Sequence, residues 1–366
     1  MSKQRIELLD SFRCIAVLGV LLFHYTERWV GLYPYGGSFR HIFSFGYLGV
    51  NFFFMISGFV ISYTLEDTAD LFSFFRNRFS RLFPPMLLCT AITILVVSLL
   101  DDHLLFQNAH KLKDILPSLT FISPALWTLL TKIHFAWISG SYWSLWTEVQ
   151  FYIIASAAYF LNRKQFFRNL LLTGIVINTL KFIPLYLLHA HWASIPFHNC
   201  TDLLLGWKYG SEIFNISFFI LWFLAGSIFY QLYKGFRLDQ DHLSLACAIV
   251  VLFFILAEAR IFNVGAFYGS ISAILIMFSL FLLLIYREEY LSFLRNPLFR
   301  RIGVISYSIY LIHEDIGVLL INKYGGLPGD LSLLTPFIVI ILMACFAETS
   351  YRLYEKKVTQ FLRKVS

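Results

Sequence analysis

The chain has 366 residues, of which 58% are hydrophobic, 19% aromatic and only 14% charged, with a net charge of +7. Soluble domains carry about 25% charged residues, so this composition excludes a soluble enzyme and points to lipid as the solvent. The excess of cations does not imply nucleic acid, because those cations lie between apolar runs in a membrane pattern.

Apolar runs of about 20 residues cover the hydrocarbon core of a bilayer. Ten are readable in chain order: 8–25, 43–65, 82–100, 142–161, 169–189, 213–233, 243–259, 264–286, 302–322 and 332–352. The expected fold is therefore all-α: a polytopic integral membrane protein of about ten transmembrane helices, one domain over residues 1–366. The break at 101–141 is long, apolar and aromatic over 115–138, and interrupted by Pro117, Pro124, Lys132 and His134. It reads as an additional re-entrant or interfacial segment covering a site. With the N-terminus inside, 19 of the 29 Lys and Arg fall on the inner side and 8 on the outer. That asymmetry puts both termini in the cytoplasm. Ile15–Phe23 reads as a retained helix rather than a signal peptide, since Asp10 and Arg13 interrupt its approach and no small-residue cleavage site follows.

Ionisable groups inside spans are costly and mark candidate sites. The first span holds Asp10, Arg13 and His24. Arg13 and His24 are eleven residues apart, almost three whole turns, so they share a face about 16 Å apart along the axis. His24 is the natural general base near neutral pH; the competing reading is an interfacial histidine bonded to a loop. Asp10, three residues before Arg13, reads first as its partner or as a helix cap. Arg78 and Arg81 stand one turn apart in a loop ahead of Pro84 and Pro85, which are expected to open the third span. Their forks suit phosphate, although cations in an inner loop need no ligand to explain them.

The fourth span places Glu148 among aromatics, four residues before Tyr152. A carboxylate there must be paired, either structurally or to orient His24 or an acceptor hydroxyl. His313, Glu314 and Asp315 interrupt the ninth span. His189, His191 and His198 crowd an outer connection near Asp202, but their spacing matches no compact metal motif and no metal is expected. The five cysteines are scattered and read as packing residues.

Five of these segments together resemble acyltransferase family 3, the membrane O-acyltransferases. Leu9 to Ala16 is similar to the family's LDGLRGIA and continues with its Arg-x10-His spacing from Arg13 to His24. Gly49 to Phe59 resembles GVDLFFVLSGF, and Arg78-x-x-Arg81 with Pro84 resembles its arginine loop. Trp143-Ser144-Leu145 with Glu148, Phe151 and Tyr152 resembles WSLxxExxFY, and Ser306 to His313 its late SYSIYLIH. Ser11 and Cys14 stand where the family has glycines, Asn51 where it has aspartate, and Lys356 where a proline is usual.

The resemblance implies a stand-alone acyltransferase in a bacterial cytoplasmic membrane. It implies acyl-CoA, most simply acetyl-CoA, as co-substrate with no tightly bound cofactor. The acceptor would be a glycan of the cell surface, a lipid-linked sugar or a small hydroxylated molecule. Arg78 and Arg81 with Arg13 would hold the donor phosphates. His24 would be the base and Glu148 its helper, with Asp10, Tyr152 and His313 in support. The rival class is a transporter or flippase of an acyl donor or glycolipid without chemistry. A weaker third is a structural partner in glycan export.

Overall fold

The computed structural model describes residues 6–39, 41–102, 105–182, 210–236, 242–261 and 267–365. It is helical throughout, with no strand among the described residues. Six helices are long and apolar enough to cross a membrane, and a bent pair at Pro297–Ile312 and Asp315–Tyr324 makes a seventh. With the family relationship reported below, this is an integral membrane protein.

The helices are α1 (Glu7–Phe23), α2 (Leu48–Leu65), α3 (Leu71–Leu100), α4 (Ile115–Thr120), α5 (Pro124–Thr131), α6 (Trp143–Leu161) and α7 (Phe166–Leu180). They continue with α8 (Ile220–Phe236), α9 (His242–Ile261), α10 (Phe267–Tyr286), α11 (Pro297–Ile312), α12 (Asp315–Tyr324), α13 (Thr335–Ser350) and α14 (Lys356–Val365). All ten expected runs therefore contain helix, but three of those helices are too short or too polar to count among the apolar membrane-crossing ones. The described part of α7 has 15 residues and α8 has 17. The 19 residues of α6 include Ser144, Thr147, Glu148 and Gln150, a polar load that lowers its hydropathy. Residues 183–189 of the fifth run and 264–266 of the eighth lie outside the described residues.

Two expectations are corrected. Arg78 and Arg81 are not in a loop, and Pro84 and Pro85 do not open a helix. All four lie inside the continuous 30-residue α3, which Asp70 caps at its N-terminus. Asp70 Oδ1 accepts from the Ser73 backbone N at 2.9 Å, and that bond holds its carboxyl below the usual carboxylate range. The prolines remove two backbone donors, a loss that neighbouring helices make tolerable in a membrane bundle. The ninth run is not one straight span either: it bends by 73° between α11 and α12, where His313 and Glu314 stand.

Contacts between helix ends sort the bundle into two faces. At one, Glu7 pairs with Arg300, Arg163 donates to the Ala69 carbonyl at 2.6 Å, and Lys234 pairs with Glu66 at 2.8 Å. At the other, Lys323 pairs with Asp102 at 2.8 Å, Lys181 with Glu258 at 2.7 Å, and Tyr47 bonds Ser270 at 3.1 Å. We call these the arginine end and the histidine end, after Arg81 and His24. The described part of segment 101–141 lies at the histidine end. Its α4 and α5 have 6 and 8 residues, too short to cross. Its turns are fixed by side chains, Asp114 accepting from the Ala136 N at 3.0 Å and Ser118 from the Ile138 N at 3.2 Å.

Lipid supplies no hydrophobic force between helices, so close backbone approach and ring packing hold the bundle. The most extensive pairs are α2 with α8 and α1 with α11. A Cβ at Gly226 would stand 1.8 Å from the Met55 carbonyl oxygen, and one at Gly303 would stand 1.7 Å from that of Asp10. Only glycine fits either contact. Ser11, where family glycine is absent, does not loosen α1: it is buried and its Oγ donates to the Leu294 carbonyl at 2.6 Å. The small residue of that interface sits on α11 instead. Gly303→Ala is therefore expected to lower the melting temperature of the purified protein, since overpacking costs about 1–3 kcal/mol. An unchanged melting curve would contradict the packing.

Candidate active site

His24 begins a π turn, His24–Arg28, that widens the end of α1. Such turns recur at functional sites. The tyrosines that follow tie its carbonyls down: Tyr33 OH donates to the His24 carbonyl and Tyr35 OH to that of Tyr25. Tyr25 OH in turn donates to the His313 carbonyl at 2.9 Å. A ring of hydroxyls thus couples the end of α1 to the bend between α11 and α12.

The two imidazoles meet edge to face, with centroids 4.7 Å apart. Carbonyl oxygens only accept, which fixes the tautomers of the neutral rings. His24 Nδ1–H points to the Val20 carbonyl at 3.0 Å, and His313 Nδ1–H to the Tyr310 carbonyl at 2.6 Å. Both Nε2 atoms are then bare bases. His313 Nε2 faces His24 Nδ1 at 3.4 Å, a second acceptor for the same proton. His24 Nε2 stands 3.7 Å from Glu314 Oε1. Glu314 is held under the 101–141 segment, where Gly140 packs on its carboxylate and Ser139 Oγ donates to Asp315 Oδ1 at 3.1 Å.

Three cavities run in file through the bundle. The first, of about 470 Å³ at the arginine end, is lined by Asp10, Arg13, Arg81, Tyr307 and α14. The second, narrow at about 80 Å³, holds Arg13, Arg78, Arg81, Ser57, Glu148 and Tyr152. The third, of about 560 Å³, holds His24, Arg28, Asn51, Glu258, Glu314 and an aromatic wall of Trp143, Phe219 and Trp222. Arg13, Arg81 and Tyr307 line the first two, and Val50 and Tyr310 line the second and third. Arg13 and His24 thus open onto one file from opposite ends of the same helix.

Around the middle cavity, Ser57 Oγ donates to Glu148 Oε1 at 2.8 Å and Tyr152 OH to the same oxygen at 2.6 Å. Glu148 Oε2 has no donor among the described residues. The Arg78 guanidinium lies over the rings of Phe74 at 5.4 Å and Tyr152 at 5.7 Å and donates to Thr64 Oγ1. Its Nε is buried without a hydrogen-bond partner among the described residues. Asp10 accepts from Arg13 Nη1 at 2.8 Å, as its spacing suggested.

The sequence profile of the acyltransferase domain family matches residues 6–347. The chain belongs to acyltransferase family 3. A Staphylococcus aureus (strain COL) protein with a provisional O-acetyltransferase name is 26% identical over 376 residues, covering 95% of this chain and 56% of that protein. The O-acetyltransferase OatA of Staphylococcus aureus (strain NCTC 8325 / PS 47) is 24% identical over 378 residues, with the same two coverages. The chain spans little more than half the length of these curated relatives. No solved structure matches.

The family motifs thus converge on the file of cavities, but not on one point. His24 and His313 meet at its far end; Arg13, Arg78, Arg81, Glu148 and Tyr152 gather nearer the arginine end. The carboxylate beside His24 is Glu314, not Glu148, whose bonded oxygen is taken by Ser57 and Tyr152. Glu314 was visible in the sequence as a charge interrupting a span, but no spacing links it to a histidine 290 residues earlier. Ser57 and Asn51 were visible only as polar positions in an apolar run. His189, His191, His198, Asp202 and Cys200 lie outside the described residues. No group of metal ligands occurs among the described residues.

Glu148 and Ser57 are in direct contact, so their substitutions should couple. A double-mutant cycle of Ser57→Ala with Glu148→Gln, read by thermal stability, is expected to give about 0.5–3 kcal/mol of interaction energy. Additive effects would remove Ser57 as the partner of this carboxylate.

Proposed function

We propose that the chain is a membrane O-acyltransferase. It moves an acyl group, most simply acetyl, from acyl-CoA at the arginine end to a hydroxyl at the histidine end. The acceptor is a glycan, a lipid-linked sugar or a small hydroxylated molecule. The observation that carries this reading is the file of cavities joining Arg13, Arg78 and Arg81 to His24. The names of the two relatives support the O-acetyl class.

In this mechanism the arginine end holds the donor phosphates and the acyl-bearing arm extends past Ser57, Val50 and Tyr310. Glu148 stands on that path, where its Oε2 can accept an amide N–H of the arm. The acceptor enters the aromatic cavity and presents its hydroxyl to His24 Nε2. Nε2 takes the hydroxyl proton as the oxygen bonds to the thioester carbonyl carbon. The carbon–sulfur bond then breaks, and the departing sulfur takes the proton back from the imidazolium. Two neighbours favour that transient cation: the Glu314 carboxylate at 3.7 Å from Nε2 and the bare Nε2 of His313 at 3.4 Å from Nδ1. His313 is thus a positioning residue for His24.

General-base catalysis contributes about 10²–10⁴-fold. His24→Gln keeps shape and hydrogen bonding without a titratable nitrogen. It is expected to lose turnover by that factor at matched folding, while binding of a non-hydrolysable acyl-CoA analogue is retained. Full turnover by His24→Gln would move the base elsewhere, and transport of the donor without acylation would favour a carrier.

We also propose that the arginine end faces the cytoplasm, on the 19-to-8 distribution of cations between the two sides of the sequence topology. A reporter that fluoresces only inside the cytoplasm, fused after Ser366, is expected to light up. Fluorescence only from a periplasm-active reporter at the same site reverses the orientation.

A further inference from the structure

The cavity at the arginine end has a wall that the family motifs do not include. After α13 the chain makes a second π turn, Tyr351–Glu355, and continues as α14 packed on α3. The turn buries Glu355, which accepts from Ser308 Oγ at 2.7 Å and from Ser350 Oγ, rather than pairing with a cation. The helix then lays Lys356, Thr359, Gln360 and Arg363 along the cavity that Arg13 and Arg81 also line. Arg363 Nε donates to Ser80 Oγ at 3.4 Å, which fixes α14 against the arginine-bearing turn of α3. Asp10, the other carboxylate of this cavity, is paired with Arg13. Arg81, Lys356 and Arg363 have no carboxylate within ion-pair distance among the described residues. Three such cations around one polar cavity repel one another unless an anion joins them.

We propose that α14 completes the phosphate site of the donor: Lys356 and Arg363, with Arg81 and Arg13, bind the phosphate groups of a nucleotide-bearing acyl carrier. This rests on the acyl-CoA reading above. A phospholipid headgroup offers the same chemistry, but a helix that merely lay on anionic lipid would use Lys357 and Lys364 as readily. Those two are exposed and do not line the cavity.

The test uses the full chain in nanodiscs of zwitterionic lipid, with acetyl-CoA and phosphate-free acetyl-pantetheine as alternative donors. Lys356→Ala with Arg363→Ala is expected to lower kcat/KM for acetyl-CoA about tenfold or more, through KM, since charge-assisted bonds to phosphate are among the stronger ones. Its kcat/KM for acetyl-pantetheine should be unchanged. Lys357→Ala with Lys364→Ala should leave both donors unaffected. Equal losses with both donors make α14 structural only, and equal losses in both double variants make it a lipid contact; either overturns the site. A wild-type protein that uses acetyl-CoA alongside an unimpaired Lys356→Ala/Arg363→Ala variant overturns the α14 site alone. A wild-type protein that uses no acyl-CoA overturns the donor reading and the site with it.

Discussion

The seat of Gly303 on the Asp10 carbonyl is the contact on which the site depends. It brings α11 against α1 with no room for a side chain. The same helix pair then carries Arg13 with Ser306 and Tyr307 at one level, and His24 with Tyr310 and His313 at the other. Moving α11 outward by the width of a methyl group would part the imidazoles, whose nitrogens are already 3.4 Å apart. Packing and chemistry share one interface here, so substitutions far from His24 along α1 and α11 reach it mechanically.

The second organising fact is that three irregularities of the described backbone fall beside the cavities. The π turn at His24–Arg28, the 73° bend at His313–Glu314 and the π turn at Tyr351–Glu355 each free or bury polar groups. In a lipid setting such groups need protein partners. Tyr25, Tyr33 and Tyr35 serve the first two, and Ser308 and Ser350 serve Glu355. Elsewhere phenylalanines seal the helix contacts, such as Phe54 and Phe151 stacked on Phe223.

Much of this was legible in the sequence. Composition and run length give a helical membrane bundle, and the eleven-residue interval from Arg13 to His24 gives two groups on one face. Other parts were not legible, for physical reasons. Paired prolines near cations look like a helix start, yet in a bundle whose neighbours compensate lost backbone bonds they sit inside α3. The partnership of His24 with Glu314 and His313 depends on tertiary contact across almost 290 residues, which no local pattern encodes. The role of α14 was hidden because hydropathy ends near residue 352, while its cations act through an amphipathic helix. Polar α6 passes for a span by length alone, but Ser144 and Glu148 line a cavity while buried Thr147 and Gln150 bond within the protein, to the Trp143 carbonyl and Asn215.

The central claim is that one file of cavities joins a donor held at the arginine end to a base at the histidine end. The most direct measurement is transfer across a bilayer. Oriented proteoliposomes receive labelled acetyl-CoA only on the arginine side and a hydroxylated acceptor only on the histidine side. The account predicts acetylated acceptor on the histidine side, abolished by Val50→Trp at the junction of the second and third cavities. Product formed only when donor and acceptor share one side would contradict it.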